Sequence, residues 1–162
     1  MKVVCNSSPI INLSAIQRVD LLNKLYGDIF IPQAVYDEIT IAGAGEPWSS
    51  EVRDLNWIKV KTINNKSLVK ALTLDLDNGE AESIALAEEL PADLILIDER
   101  KGRIIAQRLG KKCIGTLGIL IDAKNKGYIS NLKPELDNLI LKSGFYISDS
   151  LYNLVSKTSN EL

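Results

Sequence analysis

The sequence predicts an α/β protein in which helices cover both faces of a central, mostly parallel sheet. Short apolar segments rich in β-branched residues alternate along the chain with longer segments of helical periodicity. The segment ADLILID (92–98) is a nearly continuous apolar run, which is typical of a parallel strand with both faces buried. Alternation of strands and helices favours this layered architecture over an all-helical or all-strand fold.

The N-terminal segment predicts a buried strand followed by helix. KVVCN (2–6) is apolar, β-branched and bounded by turn-forming residues. Ser8 is a natural N-cap and Pro9 a natural first helical residue, and the helical pattern continues to Gly27.

The following segments predict a second strand-helix unit and a loop. DIFIP (28–32) is strand-like, and Pro32 opens a helix through QAVYDEITI (33–41). AGAGEPWSS (42–50) predicts a loop that is a candidate for a mobile flap, and IKVK (58–61) a short strand.

The second half predicts further alternation after the turn Asp77-Asn78-Gly79. In chain order we expect a helix GEAESIALAEEL (79–90), the strand ADLILID (92–98), a helix ERKGRIIAQRLG (99–110), a strand KKCIG (111–115), a helix TLGILIDAKNKG (116–127), and one or two helices from about Pro134.

Length and composition predict one soluble cytoplasmic domain, residues 1–162, with a core at about 2–130 and a helical tail at about 131–162. No apolar run is long enough to cross a membrane, and the N-terminus lacks the features of a secretory signal. Cys5 and Cys113 have apolar neighbours, which favours reduced thiols. The net charge of −2 leaves any binding of polyanions to a local basic patch.

The sequence contains no histidine. Catalytic relays that pass a proton to imidazole are therefore excluded, as are zinc sites with histidine ligands. Chemistry would have to depend on carboxylates, lysines, hydroxyls or a hard metal ion. The sequence also contains neither the glycine-rich motif of dinucleotide-binding proteins nor a P-loop motif.

Ligand sites in parallel sheets lie beyond the carboxyl ends of the strands. In this chain those ends carry Asn6-Ser7-Ser8 and Asp98-Glu99. Asp98 serves equally well as a helix N-cap, so its position alone gives function about even odds.

Two glutamates join this set of candidates. Glu80 shares a helix face with Ile84 and Ala87, whereas Glu82 points about 200° away, toward the predicted solvent side. Glu38 lies above Ala34 and Val35 on a partly apolar face. Taken singly, each glutamate is more simply explained as a first-turn or edge residue.

The combination is more informative than its members. Clustered carboxylates without histidine suit Mg²⁺ or Mn²⁺, which take oxygen ligands. Arg100, Lys101 and Arg103 follow Asp98 and could steer a phosphate backbone, although an ordinary solvated helix face is the simpler explanation for Arg108 and the lysines after it.

The sequence also resembles the PIN-domain superfamily, most closely an uncharacterised prokaryotic branch related to VapC-type toxins. The matching stretches, in family order over roughly residues 2 to 130, are VVCNSSPIINL, FIPQAVYDEI, GEAESIALA, LILIDERKGR and GTLGILIDAK. The resemblance implies a three-layer α/β/α fold, RNA cleavage dependent on Mg²⁺ or Mn²⁺, frequent homodimers and a small antitoxin protein as partner.

The resemblance places the acidic metal-binding positions at Asn6, Glu38, Glu80 and Asp98, with Ser8 supporting the first. The family pattern has aspartate where this chain has Asn6. An amide oxygen can still bind a metal ion but contributes no charge, so the affinity for the ion should fall.

Three hypotheses follow. The first is a metal-dependent ribonuclease of the PIN toxin type, in which Glu38, Glu80 and Asp98 are catalytic. The second is a catalytically impaired PIN module that binds RNA or protein, which Asn6 motivates. The third, a receiver-like phosphotransfer domain, would need an acidic pair after the first strand, and the sequence has none there.

Overall fold

A computed structural model describes residues 1–158 of the chain and shows a five-stranded, fully parallel sheet in the order β3-β2-β1-β4-β5. The strands are β1 (Val3–Cys5), β2 (Ile29–Pro32), β3 (Ile58–Lys61), β4 (Leu94–Leu96) and β5 (Cys113–Ile114). The first strand is central, so the residue that follows it emerges in the middle of the carboxyl edge.

Helices connect the strands and also form the C-terminal part of the described chain. They are α1 (Ser7–Ala15), α2 (Asp20–Tyr26), α3 (Gln33–Asp37), a π-helix (Glu38–Ala42), α4 (Pro47–Arg53), α5 (Lys66–Leu72), α6 (Asn78–Glu89), α7 (Arg100–Arg108), α8 (Thr116–Asn125), α9 (Leu132–Ser143) and α10 (Asp149–Thr158). None of the helices within residues 1–158 has the length and apolar character needed to span a bilayer.

Two hydrophobic clusters lie on opposite faces of the sheet. Because side chains alternate along a strand, Val3 and Cys5 belong to one cluster and Val4 to the other. The first cluster is closed mainly by α1, α2, α8 and α9, and the second by α6 and α7. This arrangement confirms the predicted three-layer α/β/α fold.

All five strands were predicted, but several helix boundaries differ. The first helix begins at Ser7, so Ser8 is not the N-cap; Asn6 holds that position with an extended backbone and no side-chain capping bond. The predicted long helix breaks before α2, where Gln17 has a φ of 58°. Pro9 is tolerated as the third helical residue because the first four N–H groups have no partner within a helix.

The secondary structure predicted from sequence differs most from the structure between β2 and α6. Residues 47–50, predicted as loop, form the start of α4, and α5 was not predicted at all. The helix predicted over 33–41 is present but widens into the π-helix at Glu38.

Candidate active site

The site lies at the carboxyl edge of the central strand. The backbone N–H of Asn6 donates a 2.9 Å hydrogen bond to the carbonyl oxygen of Leu96, which fixes Asn6 beside the end of β4. Only 3% of Asn6 is exposed. A buried amide side chain at this position needs polar partners, and the neighbouring helices supply them.

Three side-chain oxygens converge on one point above Gly79. The Cβ of an alanine at this position would lie 3.1 Å from Glu38 Oε2, 3.5 Å from Asn6 Oδ1 and 3.6 Å from Asp77 Oδ1. Three different segments thus bring oxygen atoms to the same place, and the absence of a side chain on Gly79 leaves that place open.

The π-helix places Glu38 in this group. Glu38 is its first residue and is exposed, as expected of a residue at the edge of a partly apolar face. Ser49 donates a 3.0 Å hydrogen bond to the carbonyl oxygen of Ile39, and Arg53 donates one of 2.7 Å to that of Thr40. These bonds attach α4 to the π-helix and satisfy backbone acceptors that its wider turn leaves available.

Glu80 is the inward carboxylate of α6, as predicted, and is 9% exposed. Burial raises its pKa to about 8, with further contributions from a hydrogen bond and charge at Asp77 and from the charges of Glu99 and Glu38. Near neutral pH this carboxyl group therefore retains a proton for much of the time. Burial is the main cause of this shift, and the neighbouring negative charges add to it.

Glu82 does not point into solvent as the sequence predicted. It is half-buried, and its Oε1 accepts a 3.2 Å hydrogen bond from the backbone N–H of Ala34. The first turn of α3 has free N–H groups, and a carboxylate from the neighbouring α6 satisfies one of them.

Asp98 is bound to the start of α8. Its Oδ1 accepts a 2.6 Å hydrogen bond from the backbone N–H of Thr116, and its Oδ2 accepts bonds from Thr116 Oγ1 at 2.7 Å and from Asn12 Nδ2 at 3.2 Å. The residue that precedes α7 as its N-cap is Glu99. Asp98 therefore caps the start of α8, 18 residues further along the chain, and does not cap α7, the helix for which the sequence predicted this role.

Ser8 does not contact Asn6 through a hydrogen bond; the hydroxyl beside the amide belongs to Ser83. Ser83 Oγ lies 3.5 Å from Asn6 Oδ1 and 2.7 Å from the carbonyl oxygen of Gly79. A hydroxyl has one proton to donate, so the shorter bond to Gly79 dominates and the contact with Asn6 is weak. Ser8 instead lines a neighbouring cavity.

The predicted basic residues occupy two environments. Arg100 and Lys101 are exposed at the start of α7, whereas Arg103 is half-buried. Arg103 lines a cavity of about 820 Å³ that also contains Asp98 and Glu99.

Sequence reasoning did not assign Asp77 to the site, and it placed Glu99 at the end of a strand without giving it a role. Asp77 caps α6, with Oδ1 accepting a 2.8 Å hydrogen bond from the N–H of Glu80, and it also faces the point above Gly79. The spacing of three residues to Glu80 is a recognisable capping pattern. Nothing in the sequence indicated that the charge of Glu99 acts on Glu80, because that depends on how α7 lies against α6.

The oxygen ligands at this site are of the kind that a hard divalent cation prefers, but few of them carry a negative charge. Carboxylate and amide oxygens are the ligands that Mg²⁺ and Mn²⁺ prefer. Within residues 1–158, however, no three acidic or thiol side chains lie close enough together to hold a metal ion. Around Gly79 the set comprises the carboxylates Glu38 and Asp77 and the neutral Asn6, with Glu80 next to them. The missing charge is the one that an aspartate in place of Asn6 would supply.

Comparison with known proteins identifies the family. A family model described as DUF3368, a PIN domain, matches residues 2–161 of the chain. A search of curated proteins finds no match. The match extends over nearly the whole chain, including the helices that follow the strands, and it agrees with the parallel three-layer fold. PIN domains have a nuclease-type fold and generally depend on a divalent metal ion. The chain belongs to the PIN-domain family.

Proposed function

We propose that this protein is a ribonuclease of the PIN toxin type that hydrolyses RNA phosphodiesters with Mg²⁺ or Mn²⁺. The observation that carries the proposal is the convergence of oxygens from Glu38, Asn6 and Asp77 within 3.1–3.6 Å of the position above Gly79. These oxygens come from three segments that share only their location at the carboxyl edge of the sheet.

Asn6, Glu38, Asp77 and Glu80 would hold the ion. When bound, such an ion lowers the pKa of a coordinated water and offsets the charge of a phosphodiester. The protein residues supply the oxygens and exclude bulk water from the buried side, where Asn6 and Glu80 lie. A cation bound beside Glu80 would favour its ionised form and so displace the proton that burial and the neighbouring carboxylates keep on it.

Arg100 and Lys101 support RNA as the substrate class. They are exposed on the turn of α7 that directly follows Asp98 and Glu99, so they border the acidic site. Exposed cations beside a metal-binding cluster attract a phosphate backbone toward it.

A catalytically impaired module that binds RNA or protein is the second candidate, and the neutral Asn6 favours it. Because Asn6 is neutral, three of the four residues that would hold the ion are carboxylates, and one of these, Glu80, keeps a proton near neutral pH. Affinity for a divalent ion depends strongly on ligand charge, so this set should bind the ion weakly.

The experiment that separates the two candidates uses a fluorescent single-stranded RNA incubated with the protein in Mn²⁺ or in chelator. If the protein is a ribonuclease, it should cleave the RNA in Mn²⁺ and should not cleave it in chelator. The Glu38→Gln variant should not cleave it in Mn²⁺ either. The Asn6→Asp variant should bind Mn²⁺ about tenfold more tightly by calorimetry and cleave faster.

The matched control is Asn56→Asp, which adds the same charge at an exposed position outside the site. If wild-type protein neither binds Mn²⁺ nor cuts RNA while Asn6→Asp does both, the second candidate, a catalytically impaired module, is supported. If neither protein cuts RNA, the proposed ribonuclease activity is wrong.

Two partners that the family resemblance implies, a second copy of this chain and a small antitoxin protein, are also proposals. Leu141 and Leu154 are 82% and 60% exposed on α9 and α10 and offer apolar contact area for either.

A further inference from the structure

Glu82 is a half-buried carboxylate to which the proposed chemistry gives no role. Among residues 1–158 it joins no ion pair, and its Oε1 accepts the 3.2 Å hydrogen bond from the backbone N–H of Ala34. Withdrawing a carboxylate from water is costly, and a bond to the positive end of a helix offsets part of that cost. The contact joins α6 to the first turn of α3.

Ala34 is in turn linked to Glu38 through the backbone. The N–H of Glu38 donates a hydrogen bond to the carbonyl oxygen of Ala34, one helical turn earlier. Ala34 is therefore bonded to Glu38 at its carbonyl oxygen and to Glu82 at its N–H. Two consecutive hydrogen bonds connect a side chain of α6 to the residue that begins the π-helix.

The same face of α6 also carries the place that the Glu38 carboxylate reaches. Gly79 and Glu82 are three residues apart, a spacing that makes them neighbours on one helix face. Glu38 Oε2 lies 3.1 Å from the Cβ position of Gly79, and Glu82 holds Ala34. These two positions of α6 thus contact the two ends of a single helical turn, from Ala34 to Glu38.

The placement of α3 depends on such contacts with other elements. The helix spans only Gln33–Asp37, and a helix of five residues is not stable by itself in water. Its N-cap is Pro32, whose side chain makes no capping hydrogen bond. Glu82 supplies from α6 the acceptor that a polar N-cap residue would otherwise provide.

We propose that Glu82 is a positioning residue of the metal site: it fixes the first turn of α3 against α6, so that the Glu38 carboxylate lies beside Asn6 and Asp77. The inference rests on the proposed function for the identity of the ion, and it adds a residue outside the set that would hold the ion. Loss of a hydrogen bond that orients a metal ligand typically lowers metal affinity by about 10- to 100-fold.

The experiment separates the hydrogen bond of Glu82 from its charge. Glu82→Gln keeps an acceptor oxygen at the same reach and removes the charge, whereas Glu82→Asp keeps the charge and is one methylene shorter. Glu82→Ala removes both. The matched control is Asn65→Ala, because Asn65 caps α5 by accepting a 3.0 Å hydrogen bond from the N–H of Leu68, and α5 supplies no residue to the site.

The first readout needs no metal. Hydrogen exchange of the Glu38 backbone N–H is followed by NMR in chelator, on the full chain under conditions where every variant is folded. Exchange should be about tenfold faster in Glu82→Ala and Glu82→Asp than in wild type, because the turn has lost its bond to α6. In Glu82→Gln and Asn65→Ala it should stay within about threefold of wild type.

The second readout is Mn²⁺ affinity by calorimetry, measured in wild type and in an Asn6→Asp background so that a weak ion site remains measurable. Glu82→Ala and Glu82→Asp should weaken Mn²⁺ binding by about tenfold or more, whereas Glu82→Gln and Asn65→Ala should stay within about threefold of their parent. A purely structural role of Glu82 would lower the free energy of unfolding without changing the affinity of the folded protein.

The inference is overturned if the Glu38 N–H exchanges in Glu82→Ala as it does in wild type, or if its exchange accelerates while Mn²⁺ affinity is unchanged. It is also overturned if Glu82→Gln loses affinity and Glu82→Asp keeps it, because the charge is then what matters. If neither wild type nor Asn6→Asp binds Mn²⁺, the proposed function fails. Faster exchange in Glu82→Ala then still supports the positioning of Glu38, and unchanged exchange refutes it.

Discussion

Asp98 accepts a 2.6 Å hydrogen bond from the backbone N–H of Thr116 and a 2.7 Å bond from the Thr116 hydroxyl. These bonds tie the end of β4 to the first residue of α8, across a separation of 18 residues. The family resemblance assigns Asp98 to the metal site, whereas the geometry shows a residue that already has a structural role. The two roles make different predictions.

Replacing Asp98 should destabilise the protein even without metal. Asp98→Ala leaves the buried N–H of Thr116 without its acceptor, so we expect the free energy of unfolding in chelator to fall by about 2 kcal/mol. Asp98→Asn keeps one acceptor oxygen, so its free energy of unfolding should fall by less. Urea denaturation measures both, with Asp75→Ala at an exposed position as the control. Unchanged stability in Asp98→Ala, together with lost Mn²⁺ binding, would show that the carboxylate serves only the metal.

Gly79→Ala should affect the site more than the fold. Alanine favours a helix over glycine by up to about 1 kcal/mol, and the nearest neighbour of the new Cβ is the flexible tip of Glu38 at 3.1 Å. The free energy of unfolding should therefore stay equal or rise, while Mn²⁺ binding by calorimetry weakens because Glu38 is displaced.

Gly102→Ala is the contrasting control on α7. Its Cβ would lie 2.6 Å from Cδ1 of the buried Ile97, so this variant should lose stability. Intact Mn²⁺ binding in Gly79→Ala would mean that the ion does not bind above Gly79.

The raised pKa of Glu80 predicts a specific dependence of stability on pH. The folded protein holds a proton on Glu80 up to about pH 8, whereas the unfolded chain releases it near 4.5. The folded state therefore binds more protons between these values, and the contribution of Glu80 to stability falls as pH rises through the window. Below about pH 4.5 the contribution is fully present.

Urea denaturation of wild type and Glu80→Gln across this pH range, in chelator, isolates the effect. The stability of wild type relative to the variant should decline as pH rises, and Mn²⁺ should reduce the decline by favouring the ionised carboxylate. Parallel curves for the two proteins in chelator would contradict the raised pKa.

The basic start of α7 should contribute to RNA affinity through charge alone. Replacing both Arg100 and Lys101 by alanine should weaken binding of a single-stranded RNA, and should reduce the slope of log affinity against log salt by about 1.4 if both contact phosphates. The double variant Arg108→Ala/Lys112→Ala removes the same charge from exposed positions farther along the chain. Equal losses of RNA affinity in the two double variants would indicate general electrostatic attraction, without a specific contribution from Arg100 and Lys101.

Strand positions were predictable because they depend on local pattern. The strands Val3–Cys5 and Leu94–Leu96 lie in short apolar runs, 3–5 and 94–97, that are flanked by polar residues, and burial on both faces requires that composition. The π-helix at Glu38 was not predictable, because a single widened turn of five residues is too short to show a periodicity of its own. The helix α5 contains no buried residue and so left no strong amphipathic pattern in the sequence.

The sequence by itself determined the layered parallel fold, the absence of histidine chemistry and the place where polar residues leave the sheet. It also showed that Asn6 brings no charge to that place. Only the tertiary structure decided which side chains meet there. It brought Asp77 toward Glu38 and Asn6, and it committed Asp98 to Thr116. The physical reason is that periodicity fixes which face of an element is buried, whereas contacts between side chains depend on how distant elements pack against one another.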